Sequence, residues 1–85
     1  MQQSNVADGK TMIITDSVTA VQIAEPVLFS IYGKDNITLQ QPYEIYLIDH
    51  YWVISGTLPE EKVGGVFLFI LDANDGKIMR ITHGK

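Results

Sequence analysis

The feature that most constrains this chain is a single change of hydrophobic period. Ala20, Ile23, Ala24, Val27, Leu28 and Ile31 recur at the three-and-four spacing of one helix face. From Pro42 onward that spacing gives way to short runs rich in β-branched and aromatic residues. Helix first and sheet afterwards means an α+β domain. The simplest assembly is an antiparallel meander of three to four strands with one N-terminal helix laid across a face.

The ends of the helix are marked. Asp16 or Ser17 can accept a bond from a free backbone N–H at its start, and Gly33 stands where a left-handed residue is wanted at its end. Pro26 has no N–H for the carbonyl of Gln22 and its ring crowds that turn, so the helix is expected to kink or restart there. Ahead of it, Thr11–Thr15 reads equally as an edge strand or as a segment that docks the N-terminus, and residues 1–10 read as a flexible lead-in. Lys34–Gln41 is polar and is expected to be a connecting loop.

Four segments then have strand character: Pro42–Asp49, Tyr51–Thr57, Val66–Leu71 and Lys77–His83. In the first, Tyr43, Ile45 and Leu47 share one face while Glu44, Tyr46 and Ile48 share the other. Asp49-His50 is a short hairpin connection, Leu58–Lys62 a proline-containing loop, and Gly64-Gly65 opens the third strand. Asn74-Asp75-Gly76 is a strong turn signal, because these residues tolerate the positive φ of tight hairpins.

Eighty-five residues leave room for one hydrophobic core, so residues 1–85 form a single domain. Ten acidic residues against six basic ones give a net charge of −4, and no Lys/Arg cluster exists that could neutralise adjacent phosphates, which argues against nucleic acid as a partner. The chain has no cysteine, which removes disulfides, thiolate metal sites and a thiol nucleophile. No apolar run approaches the roughly 20 residues of a membrane-spanning helix, and Met1–Lys10 lacks the apolar stretch of a signal peptide. The start Met1-Gln2-Gln3-Ser4-Asn5 also fits a chain that begins just after a removed signal, so cytoplasm and cell envelope both stay open.

Catalytic signatures are weak. His50 and His83 are the two histidines, and they lack the spacing of a metal pair. The carboxylate pairs Asp72/Asp75 and Glu60/Glu61 lie in turns, where solvation and turn geometry explain them better than a tuned acid–base dyad. The run Asp72–Gly76 lacks the later ligands of a calcium loop, and no nucleophile elbow or phosphate-binding glycine loop is present. No cofactor is expected, and the chain is read as a binding protein rather than an enzyme.

The positive signal is surplus apolar surface. Tyr46, Ile48, Trp52, Ile54, Leu68 and Ile70 put apolar side chains on both faces of a small sheet, yet one helix covers only one. Either the N-terminal segment or a homodimer partner covers the second face, or an aromatic-lined face binds another protein.

The segments Trp52–Pro59, Gly64–Phe67, Asp75–Ile78 and Ile81–Lys85, with Thr19–Glu25 and Ile31–Gly33 upstream, resemble the NTF2-like fold immunity proteins of bacterial polymorphic toxin systems. The resemblance runs from Thr19 to Lys85. It implies a small NTF2-like or cystatin-like arrangement and an inhibitor that binds a cognate toxin without chemistry of its own. On that reading the partner-binding candidates are Tyr46, Trp52, Ile54, His83 and Lys85, with Tyr46 and Trp52 as anchors on a sheet face. The rivals are an envelope accessory domain resembling PepSY modules, which would modulate a peptidase, and an NTF2-like small-molecule pocket built around Asp49, His50 or His83.

Overall fold

The computed structural model describes residues 11–58 and 64–84. Its elements are α1 (Ser17–Tyr32), α2 (Lys34–Thr38), β1 (Glu44–Ile48), β2 (Tyr51–Ser55), β3 (Phe67–Asp72) and β4 (Ile78–His83). The strands form one antiparallel sheet in chain order, β1-β2-β3-β4, and α1 packs on one face of it. This is the expected α+β meander. The Leu58–Lys62 loop lies largely outside the described residues.

α1 begins where Asp16, in extended conformation, accepts a bond from the backbone N–H of Thr19 at 2.8 Å. That backbone bond is the main reason the Asp16 carboxyl ionises below the usual carboxylate range. The helix ends at Gly33, whose φ of +91° suits a residue without Cβ. It does not restart at Pro26, and residues 17–32 form a single element. Pro26 and Gln22 are both exposed, so water can reach the carbonyl that the proline leaves unbonded.

The buried stripe of α1 is Ala20, Ala24 and Leu28, whose two alanines let the helix sit close to the sheet. Ile31, expected on the same face, is exposed. Sixteen residues of helix extend about 24 Å, whereas strands of five or six residues span about 17–20 Å, so the helix is longer than the strands it packs on.

The segment expected as a loop after Gly33 contains a short helix, α2. Ile37 is its one buried residue, too few for a hydrophobic period to show in the sequence. The run Thr11–Thr15 forms no strand. The N–H groups of Ile13 and Ile14 both reach the carbonyl of Ala73, at 2.8 and 3.0 Å, so the segment docks on one acceptor instead of building a ladder. Ile14 is buried, and its carbonyl accepts the indole N–H of Trp52 at 2.8 Å.

Register decides the two faces of the sheet. Ile45, Ile54, Phe69 and Ile81 form one cross-strand row facing α1, and Leu47, Trp52 and Leu71 form the next. Tyr46, Val53, Ile70 and Arg80 form a row on the opposite, outer face. β3 is apolar at nearly every position because Phe67, Phe69 and Leu71 fill the core, while Leu68 and Ile70 are half-covered by their neighbours on the outer face. The turn before β4 is tied by Asp72, whose side chain accepts from Asn74 N and whose carbonyl accepts from Gly76 N, with φ of +79° at Gly76.

Candidate functional site

The outer face of the sheet carries Tyr46, 55 % exposed, and Ile48, 58 % exposed, beside the half-covered Tyr51, Val53, Leu68 and Ile70. Arg80 and Glu44 border it. No helix of the described residues lies over this face, so an apolar, aromatic-bearing surface is left to solvent.

Tyr46 and Trp52, expected as two anchors on one face, lie on opposite faces. Tyr46 pairs with Val53, whereas Trp52 pairs with Leu47, and adjacent register positions point to opposite sides. Trp52 is 7 % exposed and its N–H is used within the molecule, while Ile54 is 1 % exposed beneath α1. Both side chains build the core, so neither offers surface to a partner. Lys85 lies outside the described residues.

His83 faces inward. Its ring sits 4.9 Å from that of Tyr32, its Nδ1 is 2.6 Å from the Gly84 carbonyl and its Nε2 is 3.0 Å from Nε2 of Gln40. Gln40, which no sequence pattern singles out, is the buried polar centre of this end of the molecule, at 3 % exposure. Its side-chain carbonyl accepts from Phe67 N at 2.9 Å, its amide donates to Asn36 O at 3.2 Å, and its main-chain carbonyl accepts from Thr57 N. Gly56 lies against that side chain, where a Cβ would collide with it.

The residues considered for chemistry do not converge. Asp49 and His50 occupy the β1–β2 turn, whereas His83, paired with Phe67, lies at the opposite end of the sheet. His50 is 3.8 Å from Asp72 and half-buried. The carboxylates of Asp72 and Asp75 accept backbone N–H groups of their own turn. Among the described residues no group of three or more metal-ligating side chains comes together, and no helix is long and apolar enough to cross a membrane.

A second surface feature escaped sequence reading. α1 and β1 diverge around an open groove of about 620 Å³ walled by Val18, Val21 and Glu25 on one side and Pro42, Tyr43 and Ile45 on the other. At its edge the Tyr43 hydroxyl donates to Glu25 Oε2 at 2.7 Å. Burial, and then the bond to Glu25, push the ionisation of Tyr43 well above the ordinary phenol range. The partners are 18 residues apart in sequence, and only the helix-on-sheet packing brings them together.

The chain is similar to two proteins of Escherichia coli strain K12. It is 34 % identical over 74 residues to the uncharacterized protein YhhH, covering 86 % of this chain and 58 % of YhhH. It is 31 % identical over 77 residues to the uncharacterized protein YbbC, covering 89 % of this chain and 62 % of YbbC. The chain thus spans about three fifths of the length of these relatives. No solved structure matches it. The model of the NTF2 fold immunity protein family matches residues 19–85, from the first turn of α1 to the last residue, and the chain belongs to that family.

Proposed function

We propose that this chain is an immunity protein that neutralises a cognate bacterial toxin by binding it, with no chemistry of its own. The observation that carries this reading is the outer sheet face, where Tyr46 and Ile48 stand exposed on a sheet whose other face packs against α1. Aromatic residues on such a surface supply contact area at low entropic cost and commonly dominate binding energy. Membership of the immunity family supplies the class of partner. A net charge of −4 favours encounter with a basic polypeptide.

The test is protection. A toxic domain encoded beside this gene is induced in cells with and without the chain. Restored growth together with a stable complex on gel filtration is the expected result. Continued killing by every neighbouring candidate, with no complex formed, overturns the proposal. A homodimer formed through the outer face would compete with the toxin for the same surface, so protection should then fall as the chain self-associates.

A further inference from the structure

The two edges of the sheet are unlike. β4 carries Arg80, follows Lys77 and pairs with β3 through a register shift at Ile70/Leu71, all devices that discourage further pairing. β1, with the sequence Glu-Ile-Tyr-Leu-Ile, has one charge at its start and neither proline nor lysine. Among the described residues it pairs only with β2, which leaves its other edge open. Gly56 N donates to Phe67 O and Ala73 N to His50 O, which means that even-numbered residues of β2 bond towards β3. Tyr51, Val53 and Ser55 therefore bond towards Ile48, Tyr46 and Glu44, and alternation turns the peptide groups of Ile45 and Leu47 to the open edge.

That edge runs beside the α1–β1 groove, since Ile45 belongs to both. The groove is apolar at Val18, Val21 and Ile45, with the Glu25 carboxylate at one side. Glu44 begins β1 and Asp49 follows it. Among the described residues no lysine or arginine lines the groove or lies on β1. Backbone donors and acceptors, an apolar trough and carboxylates of one sign thus lie together.

We infer that β1 and the groove receive an extended, alternately apolar and basic segment of a partner polypeptide, which adds to the sheet as a fifth strand. The inference rests on the reading of the chain as a protein-binding inhibitor and names where and how the partner is held. Main-chain bonds to Ile45 and Leu47 align the segment, its apolar side chains enter the trough, and its cations, on the alternate face, meet Glu44. A second copy of this chain fits less well, because pairing β1 with β1 sets two acidic edges against each other.

The probe is a short capped peptide alternating valine and lysine, with a valine/glutamate peptide as control, added to the full chain. Amide spectra should shift at Ile45 and Leu47, with about tenfold tighter binding of the lysine peptide. Leu47→Pro removes an outward N–H that the β1–β2 ladder does not use, and should abolish those shifts. Should that variant unfold, Glu44→Gln keeps the test, and should erase the preference for lysine. Equal affinity for both peptides, shifts confined elsewhere, or a β1-mediated dimer that the peptide does not disturb would overturn the inference. Cells protected equally by folded Leu47→Pro would sink the edge site but leave the immunity reading standing. Lysine-peptide binding at β1 by a chain that protects against no toxin would do the reverse.

Discussion

Nε2 of Gln40 and Nε2 of His83 lie 3.0 Å apart, and the surroundings decide which one donates. Phe67 N–H points at Oε1 of Gln40 and the Asn36 carbonyl faces its Nε2, so the amide has one sensible orientation. Its second N–H then donates to His83 Nε2, which leaves the ring proton on Nδ1, donating to the Gly84 carbonyl. Nitrogen-15 spectra of the imidazole should show the Nδ1–H tautomer. Gln40→Leu strands the buried Phe67 N–H and frees His83, and should cost about 2–4 kcal/mol in urea unfolding.

Gly56→Ala tests the same cluster from the other side. The new Cβ would strike Gln40 at its carbonyl oxygen and at its Cβ, and the amide cannot swing away without breaking its bonds. A loss of about 1–3 kcal/mol is expected, read as a lower denaturation midpoint. An unchanged midpoint would mean that α2 shifts freely against β2.

The α+β order, the four strands and the cap at Asp16 were legible in the sequence because each is encoded locally, by period, turn chemistry or a capping side chain. The Gln40 cluster was not. A glutamine in a polar stretch looks like a loop residue, and its value comes from Phe67 and His83, respectively 27 and 43 residues away. The same holds for Trp52. An aromatic residue in a strand with apolar neighbours on both faces gives no sign of which face it takes, and register assigned it to the core.

Trp52→Phe should therefore act on stability. It keeps most of the buried ring but removes the N–H that holds the Ile14 carbonyl, at an expected cost of about 1–2 kcal/mol. Amide exchange at Ile13 and Ile14 should speed up as their segment loosens from Ala73. Affinity of the folded variant for the proposed toxin partner should stay within about twofold of the parent, because this side chain offers a partner little surface.

Tyr43 gives the chain an alkaline limit. A phenol whose ionisation is raised in the folded state contributes stability that is intact below its unfolded value and lost as pH rises towards the folded one. The ordinary value is 10.0, and the folded value lies above it through burial and the bond to Glu25. Urea midpoints should hold up to about pH 10 and then fall, and Tyr43→Phe should flatten this part of the fall. An identical decline in both proteins would place the alkaline sensitivity elsewhere.

Tyr46→Ala should show the opposite pattern to Trp52→Phe. Its ring is more than half exposed, and its hydroxyl donates to Glu44 at a long 3.4 Å, so truncation removes little from the fold. The melting temperature should stay nearly unchanged, as for most surface substitutions. At the centre of β1, next to Val53 and Ile70 across the sheet, the same ring is placed to anchor a partner on the outer face. Its loss should weaken the proposed toxin complex by about 2 kcal/mol or more in calorimetry. A folded Tyr46→Ala that binds the toxin as tightly as the parent would remove the outer face from the interface and leave the open edge of β1 to carry it.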